Sequence, residues 1–177
     1  MIWGTRGAVG LFLWITLLVS GCGYLSMKHI VIPTEGMSPT INPGDHLGCA
    51  GVKNNDFDPI KRFDIVAYHR QPVPSRGIDA STLFTQRVIG MPGEKVELRN
   101  GAVFIDGKEL DQTSFQRIEY PDNRKELNVP ETSYFLLGDN RPNSEDSRYV
   151  GNIGRKDIEC KVTTIISKID YDNGKRW

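Results

Sequence analysis

Two stretches of this chain gather the residue types that chemistry uses. Pro33 to Asp45, PTEGMSPTINPGD, crowds hydroxyl residues, prolines and glycines after an extended apolar run, HIVIP, and before a strand-like run. A strand feeding such a turn presents one special backbone position at a cleft. Ser38 is a candidate nucleophile there, but an alcohol of ordinary pKa attacks nothing without a neighbouring base. The second stretch, Leu136 to Arg148, reads LLGDNRPNSEDSR, a run of short polar residues whose plain interpretation is a solvated loop. Between the two, Gln86 and Arg87 stand side by side. An amide donates and accepts hydrogen bonds but does not titrate in the useful range, so Gln86 cannot take a proton from a serine.

Other chemistry finds little support. No CxxC or His/Cys spacing suggests a metal site, and no cofactor is expected. His29, His46 and His69 are scattered in strand-like contexts and read as structural. Of the three cysteines, Cys49 and Cys160 either pair in a disulfide or stay separate buried thiols, and an odd total is what a modified Cys22 would leave. Positive and negative residues balance to a formal net charge of zero, which argues against nucleic acid as a partner.

The elements that must position these residues are mostly β. A chain of 177 residues is long enough for one domain with a real core. Frequent Gly and Pro with short apolar runs between turn signals point to strands. His46 to Val52 and Arg62 to Tyr68 read as strands. Lys95 to Arg99 alternates, Asn100-Gly101 turns, Ala102 to Ile105 returns, and Asp106-Gly107 turns again. Asp111 to Pro130 is polar and reads as an exposed insertion or flap. Ile158 to Ile166 is a closing strand. The organisation expected is a membrane segment over 1–27, a β domain over 28–169 and a tail over 170–177.

Arg6 is followed by no charge until Lys28, and AVGLFLWITLLV lies in that gap. The strictly apolar core is short, as in a secretory signal peptide, while the whole gap of roughly 20 residues is enough to span a bilayer. Val19-Ser20-Gly21-Cys22 resembles a bacterial lipobox, which would make Cys22 a lipidated N-terminus. An uncleaved signal anchor is the alternative. Either way, the domain beyond this segment is expected to be exported and membrane-attached.

The first stretch resembles the nucleophile box of the type I signal peptidases, membrane serine proteases that use a Ser/Lys pair. Met37, Pro39, Thr40, Ile41, Gly44 and Asp45 fall in register, and Thr34 stands where the family usually keeps a hydroxyl. The serine position is Gly36. Thr85 to Glu94 resembles the box that carries the general-base lysine, and Gln86 occupies the lysine position beside Arg87. Arg62 to Tyr68 resembles a third element, with Phe63 where the family has glycine. Gly138, Asp139, Asn140, Ser144, Asp146, Ser147 and Arg148 match the most specific motif.

The resemblance runs from about Ile30 to Ile166 and implies a strongly twisted, mostly antiparallel, partly barrel-like β core with the site on one edge. It implies that Ser144 bonds the group at position 86 and that Asp146 and Arg148 pair to hold the floor. The Gly36 N–H and Thr34 would form the oxyanion hole. If Ser38 stood in as nucleophile from an extended segment, its hydroxyl would sit about 6 to 7 Å along the chain from position 36. The expectation is a protease-like cleft without nucleophile or base, binding an exported preprotein, a pilin-like subunit or an active signal peptidase. An active signal peptidase with an atypical site is the competing reading. The autoproteolytic SOS repressors, which carry a DNA-binding domain where this chain has its apolar segment, are a remote third.

Overall fold

A computed structural model describes residues 27–52, 59–72, 75 and 77–175. The apolar N-terminal segment, Cys22 and part of the connection after Val52 lie outside the described residues. Among those described, no helix is long and apolar enough to cross a membrane.

The fold is mostly β. In chain order come β1 (Met27–Val31), β2 (His46–Gly51), β3 (Ile65–Tyr68), β4 (Phe84–Gly90), β5 (Lys95–Arg99), β6 (Ala102–Ile105), β7 (Lys108–Glu109), β8 (Arg124–Asn128) and β9 (Ser133–Leu137). The short helix α1 (Ser147–Val150), β10 (Ile153–Gly154), β11 (Ile158–Ile166) and the short helix α2 (Lys168–Asp172) complete the order. Seven strands form one sheet in the order β1-β2-β11-β3-β4-β9-β10, and four form a second, β7-β6-β5-β8. Every pairing between named strands is antiparallel. The large sheet is open at β1 and β10, and register shifts in β4 and β11 curl it into a half-barrel.

Strands β4 and β9 are largely buried on both faces; β9 reads as an apolar run after Ser133, whereas β4 carries Gln86 and Arg87 among its buried positions. Val88 and Leu136 point into one core with Val66, Tyr68 and Ile158. Their neighbours Ile89, Phe135 and Leu137 point the other way and meet Val96, Leu98 and Val103 of the second sheet. A strand between two cores has little freedom to shift, because one residue of slip would exchange its faces.

The two turn pairs lie as expected, with Asn100, Gly101, Asp106 and Gly107 all at positive φ, the geometry that two-residue hairpins demand. Phe63 also has positive φ (73°), at the place where the resembling element carries glycine. Cys49 and Cys160 are joined in a buried disulfide linking β2 to β11, with Cα atoms 5.6 Å apart. It closes a separation of 111 residues, which by chain entropy disfavours the unfolded state by about 4 to 5 kcal/mol.

Three expectations change. Residues 111–130 are not simply an exposed flap: β8 pairs with β5, while Gln112 and Val129 are buried. Polar side chains hid this, because the segment is held by hydrogen bonds and by one strand edge. The histidines are not all scattered, since pairing of β1 with β2 sets His29 Nε2 2.7 Å from His46 Nδ1. The third concerns the region after Ile166, where α2 begins and stacks Tyr171 on His46, ring centres 3.4 Å apart.

Candidate functional site

The loop after β1 is closed at its base by Ile32 N–H donating to Asp45 O (3.0 Å) and Gly44 N–H to Ile32 O (2.7 Å). Met37 and Ile41 anchor it in a core with Ile32, Leu47 and Ile65. Inside the loop the chain turns: Ser38 N–H donates to Glu35 O (2.9 Å) and Ile41 N–H to Met37 O (3.0 Å). Residues 36–38 are therefore not extended, and Ser38 does not share a face with Gly36 in the manner of a strand. Its hydroxyl donates to Asn42 Oδ1 at 2.9 Å, and it does not line the cleft.

Thr34, Glu35 and Gly36 form one wall of a cleft of about 720 Å³, opposite Pro142, Asn143, Ser144 and Glu145, with Phe84 and Tyr149 contributing apolar surface. Two bonds clasp the walls together: Asn140 N–H to Gly36 O (3.1 Å) and Asn140 Nδ2 to Glu35 O (3.1 Å). Gly138 makes the clasp possible. A Cβ there would fall 2.4 Å from Gly36 O and 2.2 Å from Ser144 Oγ, so only glycine admits this approach.

The polar run 138–148 is not a solvated loop. Asp146 is wholly buried, and its carboxylate accepts from Arg148 Nε and Nη2 (both 2.8 Å), from Arg148 N–H (3.2 Å) and from Gly138 N–H (3.0 Å). Burial works against the Arg148 charge, but the Asp146 hydrogen bonds and negative charge outweigh it and hold the guanidinium above its ordinary pKa. Arg148 Nη2 also donates to Arg141 O at 2.6 Å. Ser147 Oγ accepts the N–H of Leu136 in β9 (2.9 Å), which stitches the run to the sheet. Burial pushes the Arg141 guanidinium down to about 10, so it stays charged at neutral pH, donating to Gly138 O (3.0 Å) and Gln112 Oε1 (2.5 Å).

Arg87 and Asp139 form a second buried pair, with Nε to Oδ1 2.9 Å and Nη2 to Oδ2 2.6 Å. Thr40 Oγ1 donates to the same carboxylate at 2.5 Å. Arg87 further donates to Phe63 O at 2.9 Å and lies 4.0 Å from the ring centre of Phe115. Thr40, Arg87 and Asp139 thus sit beneath the clasp and not on the cleft surface, and Phe115 from the 111–130 segment covers them.

At the centre, Gly36 and Gln86 converge on one residue. A Cβ on Gly36 would lie 4.0 Å from Ser144 Oγ, and Gln86 Nε2 lies 3.4 Å from the same oxygen. Gln86 is buried; its Nε2 donates to Glu145 O (3.0 Å) and its Oε1 accepts from Tyr68 Oη (2.8 Å). Burial raises the Tyr68 pKa far above its ordinary value, so the phenol stays a donor. Tyr68, Phe84, Glu145 and Tyr149 were not singled out from the sequence. Only their placement by β3, β4 and α1 brings them here. No group of three or more His, Cys, Asp or Glu among the described residues is arranged to hold a metal ion.

The family described as signal peptidase, peptidase S26, matches residues 6–167, and the chain belongs to that family. A signal peptidase I from Leptolyngbya laminosa is 36% identical over 129 residues, covering 72% of this chain and 62% of that protein. An inactive signal peptidase IA from Staphylococcus aureus strain Mu50 is 29% identical over 157 residues, covering 85% of this chain and 84% of that one. A solved signal peptidase I from Enterococcus faecalis V583 aligns with 60% of this chain and 98% of its own, at 32% identity and a TM-score of 0.46. The chain spans a little under two thirds of the length of the Leptolyngbya relative.

Proposed function

We propose that this protein is a signal-peptidase-like binding protein that does not cut by the Ser/Lys route. It is attached to the membrane by its N-terminal apolar segment and holds signal-peptide-like ends of exported preproteins on the extracytoplasmic side. The observation that carries this is the convergence of Gly36 and Gln86 on Ser144. By family resemblance these are the nucleophile and base positions, and here one has no side chain and the other has an amide that cannot accept a proton. What remains suits binding: an open cleft whose Thr34 and Gly36 wall offers oxyanion-type donors, beside a floor held by buried ion pairs. An extended segment entering it would bind by main-chain pairing with side-chain pockets alongside.

Stripped serine-protease sites keep a rate enhancement over water of about 10³ to 10⁴. Nucleophile and base act as a unit, so their joint absence costs on the order of 10⁶ in turnover. The names of several relatives favour an active peptidase as the second reading. Ser38 is the residue that reading would need, and its hydroxyl is engaged by Asn42 with no base beside it.

The test uses the full-length chain in detergent, with a preprotein whose signal ends in Ala-x-Ala. The native chain binds and leaves it intact, whereas Gly36→Ser combined with Gln86→Lys cuts it. Cleavage at one defined site by the native chain, abolished by Ser38→Ala, would overturn the proposal.

A further inference from the structure

Thr34, Gly36 and Ser144 all line the cleft, and each brings a hydrogen-bond donor to it. Among the described residues, nothing accepts from the Gly36 N–H, the Thr34 hydroxyl or the Ser144 hydroxyl. The Ser144 oxygen is already an acceptor, for Gln86 Nε2 at 3.4 Å, so its own proton is turned elsewhere. The neighbouring Gly36 carbonyl is taken by Asn140 N–H at 3.1 Å.

Position 36 also has room. A Cβ on Gly36 would find nothing nearer than Asn143 O at 3.6 Å, with Ser144 Oγ at 4.0 Å. A serine would fill that room with its own hydroxyl, whereas glycine leaves it to whatever occupies the cleft. Peptide-bond hydrolysis makes a ligand of the matching shape. The uncut chain carries one oxygen on its carbonyl carbon; water adds a second to that carbon and its protons go to the departing amine and to solvent. The new chain end is a planar, negatively charged pair of oxygens.

We propose that the cleft is a receptor for the free C-terminal carboxylate of a peptide already cut by another enzyme, and that it holds this end more tightly than the uncut chain. The inference rests on the binding role proposed above. One carboxylate oxygen accepts from the Gly36 N–H and the Thr34 hydroxyl. The other enters the room beside Gly36 and accepts from Ser144 Oγ. Hydrogen bonds to an ionised acceptor are roughly twice as strong as neutral ones. An uncut chain presents only the first oxygen, and a neutral one. The two acidic side chains of the cleft are each engaged: Glu145 Oε2 accepts from Arg70 Nη2 at 3.0 Å, and Glu35 Oε2 from Asn143 Nδ2 at 3.3 Å. The Arg70 guanidinium also lies 4.2 Å from the ring centre of Phe84, which keeps a positive charge beside the cleft. The reaction that must supply such a ligand is endoproteolysis of an exported preprotein, which places this protein after the cut and not at it.

The test measures Kd of the full-length chain in detergent at pH 7 for three labelled peptides. One is a signal-peptide-like sequence ending in Ala-x-Ala as the free acid, the second is its C-terminal amide, and the third continues uncut past the same alanine. The acid is expected to bind about tenfold more tightly than the other two. Ser144→Ala removes the donor to the second oxygen and Gly36→Ala fills its room, and each brings the ratio of acid to amide to about one. Should Gly36→Ala unfold the chain, Ser144→Ala decides alone. A second measurement needs no long peptide: N-acetyl-trialanine acid at millimolar concentrations raises Tm of the native chain, and its amide does not. If the long peptides fail to bind while the short acid still stabilises, the carboxylate site stands and the preprotein-binding role falls. Equal binding of acid and amide keeps the binding role and overturns the carboxylate proposal. An acid preference that persists in both variants places the carboxylate elsewhere and overturns it as well.

Discussion

The frame of the site and its centre are built on opposite terms. In the frame, Asp146 with Arg148 and Asp139 with Arg87 are two-pronged buried pairs whose further bonds go to backbone and to the Thr40 hydroxyl and the Asp122 carboxylate. At the centre, Gly36 has room for a side chain and Gln86 occupies a pocket that a titratable group could fill. A buried charge tolerates no missing partner, whereas a glycine beside an open cleft tolerates much. The frame is therefore where stability resides and the centre is where activity is decided.

The largest effect tests the frame. Asp146→Ala strands the Arg148 charge and the Gly138 N–H in the interior and costs about 3 to 5 kcal/mol, read by chemical denaturation. A loss under about 1 kcal/mol would mean the pair is not a structural strut. Gly138→Ala is next: its Cβ must displace Gly36 O and Ser144, and overpacking of this kind costs about 1 to 3 kcal/mol and opens the clasp. Gln86→Leu leaves the Tyr68 hydroxyl without its acceptor and Glu145 O without its donor, for about 1 to 3 kcal/mol. Gly36→Ser changes stability by no more than about 0.5 kcal/mol, because the nearest atom to a new Cβ is 3.6 Å away. A larger loss there would erase the contrast between frame and centre.

A pH series sharpens the same contrast. The Tyr68 pKa is raised in the folded protein, so its neutral form contributes stability that is complete below the unfolded value near 10. Above that pH the unfolded chain ionises this tyrosine and the folded chain resists, so stability declines. Tyr68→Phe is less stable than the native chain at neutral pH by about 1 kcal/mol, because Gln86 Oε1 loses its donor. The difference narrows in unfolding curves taken above pH 10.

Much of the frame was legible as sequence. The spacing Gly138, Asp139, Asn140, Ser144, Asp146, Ser147, Arg148 named its members, and the Asn100-Gly101 and Asp106-Gly107 pairs located two turns because positive φ is a property of single residues. Segment 111–130 was not legible in the same way. Its buried Gln112 and half-buried Phe115 derive their role from Arg141 and Arg87, partners far along the chain that no local pattern announces. Phe63 lay between: its departure from glycine was visible, but the strained backbone it retains was not.

The sequence by itself determined a β-rich chain, its turn residues, the apolar N-terminal segment and the identity of what stands at positions 36 and 86. Those depend on residue type and on neighbours in the chain. Tertiary structure alone decided that Cys49 meets Cys160, that Ser38 turns back on Asn42 instead of lining the cleft, and that Tyr68 reaches the amide of Gln86. Each is a meeting set by strand order and register, and such proximity comes from the packing of distant segments, which one-dimensional spacing does not encode.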